Sequence, residues 1–239
     1  MNHDNKESEV IGLYCGRKDS KKNVISSYID NCDSLNGKKY TLDALHNSHS
    51  LLEKIASKGG KYLVHIKSNQ KELLEALYCK TKVSNSTANH TTLEKGHGRI
   101  DNRHYELYNI EGNDVHRKWS TTGLATLVKV TRKRNQLKTG KTSTEISYYI
   151  SNQVTDIEEF TSAIRNHWCV EVNNRIRDVN FGEDHFKSFK NNLQRSVSSV
   201  LTMVLNLLYK SEIKGNFNQI REILFMDKNK ACSALASIL

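Results

Sequence analysis

At 239 residues, 37% of them hydrophobic, the chain is long enough to bury a core and to make one or two domains. Lys and Arg number 36 against 26 Asp and Glu, a net charge of +10; each phosphate neutralised by such a surface releases counterions, so a polyanionic partner is favoured. The longest apolar run, around Val200 to Leu208, falls far short of the ~20 residues that cross a bilayer, and the opening MNHDNKESEV holds no apolar signal core, so no membrane association and a cytoplasmic, nucleoid-associated location are expected.

The first turn signal is Asn36-Gly37. After it, Tyr40 and Leu42 alternate with Thr41 and Asp43 as in a short half-buried strand. A helix with Leu45, Leu51, Leu52 and Ile55 on one face comes next and stops at Gly59-Gly60. Tyr62 to Ile66 reads as a second strand, and Gln70 to Tyr78 as another helix. Strand, helix, strand, helix with short connections predicts an α/β core. Residues 82–95 are polar and read as a surface loop. Leu124 to Thr131 and Glu145 to Ile150, rich in Val, Thr, Tyr and Ile, are strand candidates. Between them Arg132, Lys133, Arg134, Lys138 and Lys141 surround Gly140, which predicts a long hairpin with a basic tip suited to DNA backbone.

From residue 155 the chain turns helical. Thr155 and Glu158 fit a capping box, with Asp156 in the first turn. Ile157, Phe160, Ile164 and Trp168 form an apolar stripe. A break at Asn180-Phe181-Gly182 precedes a longer helix whose core stripe is Val197, Val200, Leu201, Val204, Leu205 and Leu208. A last short helix after Gly215 holds Ile220, Ile223 and Leu224. No internal repeat or low-complexity linker interrupts the chain, so residues 1–239 are read as one domain. Its β-rich insertion covers about 94–150, and its helical carboxyl-terminal part about 155–239.

Five cysteines, Cys15, Cys32, Cys79, Cys169 and Cys232, are odd in number and scattered. No pair has Cys-x-x-Cys spacing, so they read as reduced thiols filling small gaps. Gly140-Lys141-Thr142 is not a phosphate-binding P-loop, because Asn135 stands where that motif needs glycine. His46 and His49, three apart on the first helix, lack a third metal ligand. His97 and Arg99, flanking Gly98, read as a turn, structural or near the active face.

Two carboxylates carry a chemical expectation. Asp43 closes a strand at its carboxyl end, where ligands bind in open α/β sheets. Glu171 lies seven residues after Ile164 and eleven after Phe160, within about 20° of both at 100° per residue. A glutamate on a buried stripe needs compensation. A metal ion would supply it, and so would Arg165 or Arg175; a helix ending before residue 171 would remove the need.

Several short stretches, in order, resemble one family. They are Thr41-Leu42-Asp43-Ala44, Lys58-Gly59-Gly60, Ile66-Lys67-Ser68-Asn69-Gln70 and Glu94-Lys95-Gly96-His97-Gly98-Arg99-Ile100-Asp101. Then come Gly123-Leu124 through Val128, Thr139-Gly140-Lys141-Thr142-Ser143, Tyr148-Tyr149-Ile150-Ser151, Arg165-Asn166-His167-Trp168-Cys169-Val170-Glu171 and Phe181-Gly182-Glu183-Asp184. The set, spanning roughly residues 35 to 210, resembles DDE transposases of the H-repeat-associated, ISAs-type insertion-sequence family. The resemblance implies a ribonuclease H-like fold with a β insertion ahead of the helix that carries the catalytic glutamate. It also implies two Asp and one Glu holding two divalent metals, Mg²⁺ or Mn²⁺. Asp43 matches the second aspartate and Glu171 the glutamate, both as catalytic metal ligands.

Two departures shape the functional expectation. Only 42 residues precede Asp43, and Asp4, Asp19, Asp30 and Asp33 sit in polar contexts without a buried strand. A core incomplete at the amino terminus, lacking its first aspartate, is therefore expected. Six residues, where the family has seven, separate Glu171 from Asp178-Val179, and one residue fewer in a helix rotates every later position by about 100°. The expected function is metal-dependent cleavage and transfer of DNA strands at element ends, by a truncated and inactive remnant. The alternative is a non-catalytic DNA-binding or oligomerising fragment that modulates an intact transposase. Expected partners are duplex DNA, further copies of the chain, or the intact enzyme.

Overall fold

Two parallel strands joined through a helix begin the architecture of residues 18–165. The computed structural model describes residues 20–110, 114–185, 191–210, 213, 215 and 217–236. Helix α1 (Ser20–Asp30) leads into β1 (Lys39–Leu42), α2 (His49–Ser57) and β2 (Lys61–Ile66). Strands β1 and β2 pair in parallel, Lys39 opposite Lys61 and Leu42 opposite Val64. A parallel pair needs such a crossover, and α2 fills it by burying Leu51, Leu52 and Ile55.

The helix expected to run from Leu45 is broken. Ala44–His46 form a single 3₁₀ turn, and α2 starts afresh because the Ser48 hydroxyl accepts the Leu51 N–H at 3.4 Å. His46 and His49 therefore do not share a helix. Gly59 ends the crossover at φ 82°, where a Cβ would lie 1.8 Å from Asn36 Oδ1. The left-handed backbone there favours glycine, and any side chain would have to displace that of Asn36. Beside it, Lys58 Nζ donates to the carbonyls of Ile29 (2.8 Å), Asp30 (2.9 Å) and Cys32 (2.6 Å), closing the end of α1. The Lys-Gly-Gly triplet thus fixes α1, a helix the sequence pattern did not announce.

Helix α3 (Lys71–Val83) comes after β2, and then an antiparallel meander takes over. Its strands are β3 (Ala88–Gly96), β4 (Arg99–Asn109), β5 (Thr126–Gln136) and β6 (Thr142–Ser151), with the short helix α4 (Asp114–Lys118) between β4 and β5. The order across the six-stranded sheet is β1-β2-β6-β5-β4-β3. Residues 88–95 are thus an edge strand rather than a loop. Their Asn, His and Thr residues alternate in exposure as an outer strand allows, and the β-rich part starts ahead of residue 94. The β5–β6 hairpin is present, but Arg132 to Gln136 are paired inside β5, so its turn is confined to residues 137–141.

Alternation along the strands divides the core between two faces. One face carries Val64, Tyr108, Leu127 and Ile150 against Ile29, Leu52, Ile55 and Leu77 of the first three helices. The other carries Leu63, Tyr105, Val128 and Val130 against Ile157 and Phe160 at the start of α5 (Ile157–Arg175). Asp156 and not Thr155 immediately precedes α5; the Thr155 hydroxyl donates instead to Glu159, which also accepts from Lys39 and from Gln153 Nε2 at 2.8 Å.

From Asn166 onward the chain belongs to a second compact unit. Beyond Arg175 the helix widens into a π turn, Ile176–Asn180, so the α-helical phase is lost directly after the glutamate helix. Arg177 grips Glu183 with two hydrogen bonds of 2.5 and 2.7 Å, and Phe181 meets Phe217 edge-on at 5.2 Å. Helices α6 (Asn191–Lys210), α7 (Phe217–Met226) and α8 (Lys228–Ala236) complete this unit. On α6 the buried positions are Ser198, Thr202 and Leu205, whereas Val200 is exposed, so the expected stripe is rotated. Trp168 is half exposed and not core, and Cys79 and Cys232 lie at the surface, so they fill no gaps. Cys15 lies outside the described residues. No described helix is long and apolar enough to cross a membrane.

Candidate active site

Asp43 comes immediately after β1, beside the carboxyl end of the parallel strand β2. Its Oδ1 accepts the Ala44 N–H at 2.7 Å and lies 3.4 Å from Lys67 Nζ, the residue just past β2. Burial pushes this carboxyl up, but the Ala44 N–H and the Lys67 ammonium outweigh it and hold the group below the usual carboxylate range. Its side chain is about half exposed, at 52%. The result is an accessible anion on a rigid strand end.

Two amides frame that anion. Asn69 Nδ2 donates to the Ala44 carbonyl at 2.7 Å, and Gln70 Nε2 to the Asn47 carbonyl at 3.0 Å. The Lys-Ser-Asn-Gln stretch after β2 therefore ties down the loop that carries Asp43. Lys67 also borders an open groove of about 550 Å³ lined by His65, Ser68, Tyr78, Ile146 and Tyr148.

Glu171 lies on α5, four residues before that helix ends. It is exposed, so burial does not force it to find a cation; inward pressure fades along α5, from Phe160 (buried) to Ile164 (half-buried) to Trp168 (50% exposed). Arg165, one of its expected partners, is instead engaged with Glu94 at 2.8 Å.

The basic residues of β5 split by strand alternation. Lys133 is exposed, as are Lys138 and Lys141 at the turn. Arg132 and Arg134 are turned onto Asp101, at 3.4 and 2.9 Å. Asp101, to which the sequence pattern drew no attention as an acid of interest, also receives Arg103 at 3.2 Å and Arg99 at 3.5 Å. The alternation Arg99-x-Asp101-x-Arg103 was the available signal, since it places all three on one face of a strand.

Comparison with known proteins decides the family. The family described as "Transposase DDE domain" matches residues 11–207, most of the chain. The chain belongs to the DDE transposase family. Among curated relatives it is 30% identical to "Putative protein YbfL" and 29% identical to "H repeat-associated putative transposase YhhI", both of Escherichia coli strain K12. Each of those alignments takes in 96% of this chain and 63% of the relative. "Putative transposase YncI" of Escherichia coli O157:H7 is 30% identical over 91% of this chain and 58% of its own length. The chain thus spans less than two thirds of the length of the relatives it matches.

Divalent metal ions are general to DDE transposases, and Asp43 meets the demands on one ligand: a hard oxygen donor, ionised and open to solvent. Among the described residues, no three His, Cys, Asp or Glu side chains gather into a metal-ion cluster.

Proposed function

We propose that this DDE transposase chain acts on DNA at the ends of an insertion element, through a ribonuclease H-like core in which Asp43 and Glu171 are two of the acidic metal ligands. The observation that carries the reading is Asp43 itself: a carboxylate held ionised at the carboxyl end of a parallel strand pair, within the stretch the family matches. Asp43 and Glu171 would hold Mg²⁺ or Mn²⁺, which when bound would supply Lewis-acid activation of the attacking oxygen and relief of charge on the leaving one. The protein's own part is positional. The Ala44 N–H and the Asn69 and Gln70 amides fix the Asp43 loop. The Ala44 N–H and then Lys67 hold the carboxyl below the usual carboxylate range, and the Lys67 ammonium also suits a phosphodiester oxygen bordering the groove. Lys133, Lys138 and Lys141, with Arg132 and Arg134, supply charge for the DNA backbone.

A second reading rests on the exposed lysines of the β5–β6 hairpin, which can hold a phosphate backbone with or without chemistry: a DNA-binding fragment without cleavage of its own, which modulates an intact transposase by mixed assembly. One assay separates the two. Purified chain is incubated with Mg²⁺ or Mn²⁺ and labelled duplexes carrying the element's ends. Cleavage that disappears in Asp43→Asn and in Glu171→Gln, with DNA affinity retained, is expected of the enzyme. Binding without cleavage selects the modulating fragment, and cleavage that survives Asp43→Asn refutes the assignment of Asp43.

A further inference from the structure

At the far end of the sheet, four guanidinium groups converge on one buried acid. Asp101 has a side chain only 6% exposed, and Arg99, Arg103, Arg132 and Arg134 all lie within 3.5 Å of its oxygens. The pairing register explains the convergence. Asp101 stands opposite Arg134 and Arg103 opposite Arg132, so these residues form two adjacent rows on the face that also bears Tyr105 and Val130. Glu94 adds a bridge to Arg103 and Arg165, and Glu145 stands 3.5 Å from Arg132. Five guanidinium groups thus share three carboxylates, and positive charge is left over.

Structure alone does not require this many arginines. A carboxylate offers about four lone-pair sites, whereas four guanidiniums carry about twenty N–H donors. The surplus is visible inside the cluster, where Arg132 Nε is buried without an acceptor. It is also presented outward: the Arg99 and Arg134 side chains remain 37% and 28% exposed. The neighbouring turn takes His97 to φ 49° and Gly98 to φ 71°, and the Leu137 N–H donates to the Gly98 carbonyl at 2.9 Å, tying the two hairpin tips together. Arg99 and the Lys138–Lys141 turn therefore share one end of the sheet. Fixed planar forks with spare donors suit phosphate oxygens, which accept two parallel N–H bonds from one guanidinium.

We propose that Asp101 is a positioning residue that aims Arg99 and Arg134 at a phosphate of the DNA backbone, on the sheet face that carries the start of α5. The proposal rests on the reading of the chain as a DNA-binding transposase, and adds to it Asp101, Arg99 and the face on which the duplex lies. Sequence specificity plays no part, because backbone contacts orient a duplex without reading it.

The sign of the Asp101→Asn effect is diagnostic. Removing a negative charge near DNA should tighten binding if Asp101 merely balances charge; if it holds the array, binding should weaken. The experiment measures fluorescence anisotropy of a labelled 20-base-pair duplex of arbitrary sequence against the full chain, from low to moderate KCl, with thermal melts run in parallel. For Asp101→Asn we expect roughly tenfold weaker binding and a shallower salt dependence. For Arg99→Gln the log–log salt slope should fall by about 1, as for the loss of one phosphate contact. Lys82→Gln, on the exposed side of α3, should leave the slope unchanged. Asp101→Asn that melts cooperatively yet binds as tightly as the parent overturns the proposal. If that variant fails to fold, Arg99→Gln decides, and an unchanged slope there overturns the proposal equally. A parent chain that binds no DNA sinks the functional reading as well, whereas a binding parent with an unaltered Arg99→Gln slope sinks this inference alone.

Discussion

Asp43 shows how much environment one residue needs to become chemically specific. Its place after a strand was legible in the alternation of Tyr40 and Leu42, but its partners were not, since Ala44, Lys67 and Asn69 come from two loops brought together by parallel pairing. Glu159 is the opposite case, an acid with no expected role that sits in a dense local network. The Lys39 ammonium and the Thr155 hydroxyl draw its carboxyl down to about 2. A depressed folded value means that the stabilisation is complete above the ordinary value of 4.5 and fades as pH falls towards about 2. Because the pair is largely solvated, Glu159→Gln should cost less than ~1 kcal/mol near neutral pH. Urea titrations of parent and variant should show that gap closing between about pH 4.5 and pH 2; a gap that widens on acidification would contradict the Lys39–Glu159 pairing.

At the scale of elements, hydropathy period found most of the elements that bury one face, but not β4, whose buried Tyr105 and Tyr108 stand among Asp, Asn and Arg residues. Strands β1, β2, β5 and β6 and helices α2, α3, α5, α6 and α7 were all anticipated in kind. Strand β3 was not, because an edge strand of Asn, His and Thr buries too little to show alternating hydropathy. Helix α1 escaped for a different reason: its closing contacts come from Lys58, 28 residues beyond its last residue. That contact carries a prediction. Lys58→Met should remove the ammonium shared by the Ile29, Asp30 and Cys32 carbonyls and destabilise α1 by about 1–3 kcal/mol. Hydrogen exchange should then show the α1 amides opening well before those of β5; uniform exchange across both would mean that Lys58 does not hold α1 in place. On α5 and α6 the stripes were placed in kind, yet Trp168 is exposed because burial fades along α5, and Val200 because the buried line of α6 is turned onto Ser198, Thr202 and Leu205.

For the whole molecule, the decisive question is whether Asp43 and Glu171 hold one cation between them. They stand 128 positions apart and belong to different compact units, so no local rule links them. If they share a metal, chain loaded with Fe²⁺ in place of Mg²⁺ and given ascorbate and peroxide should be cut near both residues. Scission should vanish at both places in Asp43→Asn. Cutting confined to the neighbourhood of residue 43 would remove Glu171 from the ligand set and, with it, the two-metal reading.

What the sequence determined by itself is what depends on near neighbours and on composition: the α/β start, the β5–β6 hairpin, the helical end, the excess of positive charge, and an ordered set of short motifs sufficient to name the family. Tertiary structure alone decided which charges are held by a partner and which stand alone in solvent. Arg132, Lys133 and Arg134 are consecutive and read alike in the sequence, yet strand alternation turns the two arginines onto Asp101 and leaves the lysine in water. The physical reason is that a charge takes its meaning from the partners within a few ångströms, and in a sheet those partners are supplied by register with distant strands.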